Sequence, residues 1–232
     1  MLGLCSGVVA TEAKDTGGGA GPVSVAIIDC VPVSSSDSRG DRDRRFDGVI
    51  LLLAIVALMW VVEVVDAIAD HSLDQYGIEP RDEDGLVGIV AAPFLHVGFG
   101  HLAANTVPFL AMGVVIALQG VARLLAVTAI IGLVSGLGTW LVASGSSIHL
   151  GASGIVFGYA TYLISRGVFN RDALEVVIGV VVVGIWGTAL LGGLLPQEGI
   201  SWQGHLFGAI GGVIAARVLA RDRGPKEQVA QA

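Results

Sequence analysis

A six-span, all-α membrane bundle is the fold class this sequence predicts, and three observations predict it. Hydrophobic residues take 53% of the 232 positions and charged ones only 14%, with a mean hydropathy of +0.77; a soluble domain carries about 25% charged residues. Between Arg123 and Arg166 no Asp, Glu, Lys or Arg occurs, a run of 42 residues. A helix crosses the hydrocarbon core in about 20 residues, so this run is too long for one crossing and long enough for two. Glycine fills 34 positions, which suits helices that approach closely in lipid.

The spans follow in order. Residues 1–46 are rich in Gly, Ser and Asp and end in SRGDRDRRFD; their one apolar patch, VSVAII, is too short to span, so they read as a disordered tail. Gly48 to Val65 is the first span, with Glu63 as its single charge. Residues 66–95 begin as an acidic, loop-like stretch, ADHSLDQYGIEPRDEDG. The second span runs from about His101 to Leu118, and its Asn105, Thr106 and Pro108 must face protein rather than lipid. SGSS at 144–147 breaks the uncharged run into spans near 123–143 and 150–165. The fifth covers about Val176 to Leu195 and the sixth about Gly199 to Ala216. The domain therefore occupies 47–221, with a polar tail at 222–232.

Orientation is read from Lys and Arg, which favour the cytoplasmic side. With the N-terminus inside, Arg39, Arg42, Arg44, Arg45, Arg123, Arg166, Arg171, Arg217, Arg221, Arg223 and Lys226 all fall on that side, and Arg81 stands outside in an acidic loop. Both termini are expected in the cytoplasm of a multi-pass cell-membrane protein. No basic run interleaved with aromatics occurs, so nucleic acid is not an expected partner. Cys5 and Cys30 both precede the spans, which supports neither a disulfide framework nor a Cys-ligated metal site.

Spans two, four and six then enter the membrane from the outer face. His101 and Asn105 sit in the first turns of span two, Ser153 in the first turn of span four, and His205 in the first two turns of span six. At about 1.5 Å per residue these side chains share one depth. His101 and Asn105 are four residues apart and share a helix face, as do Ser153 and Phe157. Gly208 and Gly212 place His205 on a glycine-lined face, and Gly154 with Gly158 offers a matching surface on span four. A serine needs a base to take its proton, and imidazole is the usual one. No carboxylate accompanies the outer half of these spans, so the pattern predicts a Ser–His dyad. The Ser153 N–H, free in the first turn, and the side chains of Asn105 and His101 are candidate donors to an oxyanion. Each feature has a plainer reading: a lone serine in a membrane helix bonds its own backbone, and histidines there also serve as proton carriers or metal ligands. His149, just before the glycine turn, reads as interfacial.

Taken jointly, His96-x4-His101-x3-Asn105, Gly151-Ala152-Ser153-Gly154 and His205-x2-Gly208-x3-Gly212, in this order on spans two, four and six, resemble the rhomboid intramembrane serine proteases of the bacterial type. The resemblance covers roughly residues 48–220. It implies a six-helix core, Ser153 as nucleophile, His205 as general base, His101 and Asn105 on the oxyanion side, and a mainly structural His96. It implies an endopeptidase that cuts transmembrane proteins in or beside a helix, with no cofactor and no metal. Two departures stand out: Phe157 replaces a frequent tyrosine that stacks on the histidine, and residues 67–95 lack the Trp-Arg pair of many members, leaving Arg81 as a stand-in. The alternatives are an inactive relative that binds transmembrane helices, and a transporter or metal-binding membrane protein built on the histidines.

Overall fold

A computed structural model of the chain describes residues 37–220, with side chains from Arg45 onward. Of the tails expected over 1–46 and 222–232, residues 1–36 and the whole C-terminal stretch lie outside the described residues.

Seven α-helices make up the fold, and no strand forms among the described residues. Helix α1 (Asp37–Ile68) is followed by a short α2 (Gly88–Ala91), then α3 (Phe99–Ala117), α4 (Val121–Val142), α5 (Ser153–Asn170), α6 (Ala173–Gly193) and α7 (Trp202–Val218). Helix α1 starts inside the stretch expected as tail and runs three residues past the expected end of the first span. The polar stretch after it is not plain loop. Two 3-10 turns, Asp74–Tyr76 and Asp84–Leu86, precede α2, and a third, Ala92–Phe94, follows it.

The six long helices differ in how they meet lipid. Residues Arg45–Ile68 of α1, together with α3, α4 and α6, are long and apolar enough to cross a membrane by themselves. Helices α5 and α7, expected as the fourth and sixth spans, do not reach that standard. In α5, Gly154 to Ala160 are all buried, so protein rather than lipid surrounds that stretch; α7 is shorter, at 17 residues.

Helix α7 is wedged between α4 and α5. A Cβ on Gly208 would overlap the Gly154 carbonyl, and one on Gly212 the Gly158 carbonyl. The two glycine pairs thus face each other across the seam in register. On the other side Gly211 lies against Ile131, and Gly138 of α4 receives the Phe207 ring. Polar clamps join the three helices: Ser135 Oγ donates to the Gly204 carbonyl at 2.8 Å, and Thr161 Oγ1 to the Ala209 carbonyl at 2.8 Å. Low dielectric strengthens such bonds, so they add direction to the close glycine contact.

The α5–α6 turn is fixed by charge. Arg166 pairs with Glu175, whose other oxygen accepts from Asn170 Nδ2 at 2.7 Å. Asp172 caps α6 by accepting the N–H groups of Leu174 and Glu175 at 3.0 and 3.2 Å. At the opposite end of the bundle, Arg81 donates from Nη1 to the Ala143 carbonyl at 2.7 Å and the Leu141 carbonyl at 3.3 Å. It thereby ties the 69–98 segment to the last turn of α4.

Candidate active site

The site begins with a backbone turn. Gly151 has φ of 110°, a conformation that L side chains rarely adopt. A Cβ there would also stand 2.7 Å from His101 Cε1, so two separate reasons demand glycine. Its N–H donates to the Ala92 carbonyl at 2.8 Å, which anchors the turn to the segment before α3. After Ala152 the chain enters α5, with Ser153 as its first residue. Its N–H has no carbonyl one turn behind it to accept, and it sits at the positive end of the helix dipole.

Ser153 and His205 are brought together across the glycine seam. Ser153 Oγ lies 2.9 Å from His205 Nε2. The other ring nitrogen, Nδ1, lies 2.7 Å from the Gly193 carbonyl at the end of α6. A carbonyl only accepts, so Nδ1 carries the proton and Nε2 presents its lone pair to the serine hydroxyl. Phe157 stacks flat on the imidazole, with ring centroids 4.1 Å apart and planes within 5°. His205 is held on two sides, by an acceptor in its plane and by a ring on its face.

His101, Asn105 and His96 lie on the other side of the serine. His101 Nε2 is 3.1 Å, and Asn105 Nδ2 3.7 Å, from where a Gly151 Cβ would stand, so both side chains border the turn that leads into Ser153. Asn105 Nδ2 donates one hydrogen to the His101 carbonyl at 3.2 Å, and an amide carries a second. His96 is fully buried, edge-on to His101 at 5.2 Å, and its Nε2 accepts the Ala152 N–H at 3.4 Å. Burial, with His101 adding to it, lowers its pKa to about 4. The ring is therefore neutral, as an acceptor must be, and it braces the residue before the serine.

One cavity of about 890 Å³ joins these groups, lined by His101, Asn105, Ser153, Phe157 and His205 among others. Its remaining wall is largely apolar: Val97, Val107, Pro108, Met112, Val156 and Trp186. Pro108 lacks an N–H, so the Ala104 carbonyl one turn earlier loses its intrahelical donor, and both residues face this cavity. His149 stands on the rim. It bonds Ser147 Oγ at 2.9 Å and Ser201 Oγ at 2.8 Å, and burial lowers its pKa. It makes no bond to Ser153 or His205.

The structure thus gathers Ser153, His205, His101, Asn105 and Phe157 around one cavity, with Gly151 in the turn against His101 and Asn105, His96 behind them and Gly154, Gly208 and Gly212 in the seam below. Sequence reasoning missed the Gly193 carbonyl. Only the Gly192-Gly193 pair marks its place, because a backbone acceptor leaves no trace in side-chain chemistry.

The model of the Rhomboid domain matches residues 83–222, from the loop before α2 through α7. The chain belongs to the rhomboid family. Members are generally serine proteases that act on membrane proteins within the bilayer. This rhomboid is 43% identical over 187 residues to an uncharacterized protein of Mycobacterium tuberculosis, covering 77% of this chain and 78% of the relative. An uncharacterized protein of Mycobacterium leprae is 42% identical over 188 residues, with 77% and 74% covered. A more distant relative, YdcA of Bacillus subtilis, is provisionally named a rhomboid protease; it is 26% identical over 181 residues, covering 74% of this chain and 87% of its own. The rhomboid membership and the apolar helices make the chain a multi-pass membrane protein.

Proposed function

We propose that this rhomboid is an intramembrane serine endopeptidase working through Ser153 and His205. The observation that carries the reading is the 2.9 Å contact between Ser153 Oγ and His205 Nε2, with Nδ1 turned to the Gly193 carbonyl. In the first step His205 Nε2 takes the hydroxyl proton as Oγ attacks the scissile carbonyl carbon. The oxyanion that forms is met by the Ser153 N–H and by Asn105 and His101, which border the same turn. The imidazolium then returns its proton to the leaving amine, and water cleaves the acyl-enzyme by the same route reversed.

The Gly193 carbonyl does for His205 what a carboxylate does in a triad, fixing tautomer and ring plane. It brings no full charge, so less of the imidazolium's charge is offset. Face-on stacking by Phe157 supplies the remaining restraint. An apolar cavity wall suits the side chains of a membrane-embedded segment that has been locally unwound, because a helical peptide bond is shielded from attack.

Six crossings with both termini in the cytoplasm follow from this reading, with α5 and α7 entering from the outer face and Ser153 near its boundary. Water, which hydrolysis requires, reaches the site from there. In liposomes containing a single-span substrate, Ser153→Ala and His205→Ala each abolish cleavage, and the double variant is no worse than either. Cleavage surviving in Ser153→Ala would remove the serine from the reaction.

A further inference from the structure

Away from the cavity, four titratable side chains gather where α1 ends. Asp66 is 1% exposed. Its Oδ1 accepts the Leu73 N–H at 2.7 Å, while Oδ2 has no hydrogen-bond partner among the described residues and lies 3.4 Å from His71 Nδ1. Asp70 and His71 have φ of 52° and 58°, and this left-handed pair turns the chain back on the helix end. Ligand atoms of Asp66, His71 and Asp74 consequently lie within 4.8 Å of one another. Asp74 Oδ1 is likewise buried without a partner. Glu63, three residues before Asp66 and on the same helix face, is 1% exposed, and neither of its oxygens meets a donor among the described residues.

A buried carboxylate without a donor is a costly state that a proton or a cation relieves. An imidazole among carboxylates suits zinc and its neighbours better than calcium or magnesium. Metal–ligand bonds of about 2.0–2.2 Å require the ligand atoms to close in slightly, which the half-exposed His71 side chain permits.

We propose that Asp66, His71 and Asp74, backed by Glu63, bind one divalent transition-metal cation of the Zn²⁺ type, which fastens the 69–76 segment to the end of α1. The ion is structural and takes no part in the serine–histidine chemistry. Its reach extends to the cavity rim: four residues beyond Asp74, Ile78 exchanges backbone bonds with His149 at 2.8 and 3.0 Å.

The test uses the full chain in detergent micelles, carrying Cys5→Ser and Cys30→Ser so that no thiol competes. It is stripped with a chelator and titrated with Zn²⁺ while binding and melting temperature are followed. One equivalent binds saturably, and the melting temperature climbs with the logarithm of free Zn²⁺; Ca²⁺ at equal concentration leaves it unmoved. His71→Ala and Asp74→Asn each weaken binding by about tenfold or more and remove the rise, whereas His101→Ala preserves both. His71 is exposed, so its variant reports even if Asp74→Asn folds poorly. Absence of saturable binding, or binding unchanged by His71→Ala, overturns the proposal.

Discussion

Helices α7 and α6 both border the serine–histidine pair, yet they are held in opposite ways. Helix α7 presses backbone to backbone on α5 through two glycine pairs and is flanked by α4 on its other side. Helix α6 meets the α5 backbone near its own start, where Gly167 lies against Val176 and Gly179 against Ile164, but further along it turns Val180, Val181 and Val183 outward, and nothing stands within 4 Å of a Cβ placed on Gly184 or Gly192. The tight seam sets the distance between hydroxyl and imidazole. The lightly packed helix supplies only one group to the pair, the Gly193 carbonyl, and with it the orientation of the ring. Distance and orientation are thus assigned to different helices.

The largest effect is expected from closing the seam. Gly208→Ala places a methyl on the Gly154 carbonyl; neither backbone can yield cheaply, and overpacking of this kind costs about 1–3 kcal/mol. The melting temperature falls and cleavage is lost, because Ser153 and His205 sit on the two helices pushed apart. Gly184→Ala adds the same methyl to α6 in open space and leaves melting and cleavage near the parent values. Equal damage from both would erase the contrast between the helices.

A smaller effect, without loss of fold, is expected on the oxyanion side. Asn105→Ala lowers kcat by about 10²–10³-fold, as removal of other oxyanion donors does, with KM little changed and insertion intact. A defect confined to KM would make Asn105 a residue that holds helices together.

Orientation of the imidazole is the mildest lever. In Gly193→Ala a Cβ would stand 2.6 Å from Phe157 Cζ and 3.1 Å from His205 Nδ1. Displacing the ring costs turnover by up to about 10²-fold while the glycine seam keeps the protein folded. Phe157→Ala removes the stacking alone and costs roughly 2- to 10-fold, from an aromatic contact of about 0.5–1.5 kcal/mol; Phe157→Tyr keeps the ring and most of the turnover. An alanine at 157 with unchanged turnover would show that the carbonyl orients the histidine unaided.

Much of this contrast was legible in the residues. Helix periodicity and the two glycine pairs specify the α5–α7 seam, because close approach is written in the absence of side chains. The six long helices fall near the expected spans, but α5 and α7 are not long or apolar enough to cross by themselves; in α5 the polar side chains Tyr159, Tyr162 and Arg166 are buried in protein. The site was legible wherever side chains carry it. Ser153, His205, His101 and Asn105 meet at one cavity because residues in the first turns of parallel helices share a level. What could not be read is backbone. The Gly193 carbonyl, the Gly151 N–H bond to Ala92 and the 3-10 turns after α1 depend on how helix ends are placed in space. The cluster at Asp66 was missed for a related reason: its acidic residues read as a solvated loop until the left-handed turn at Asp70 and His71 folds them onto a helix end.

The central claim is that His205 activates Ser153, and reaction with a fluorophosphonate tests it most directly. Intact-mass and peptide analysis of the purified protein should find one adduct, on Ser153, absent in Ser153→Ala and formed far more slowly in His205→Ala. An adduct that persists in Ser153→Ala, or forms at the parental rate without His205, would contradict the account.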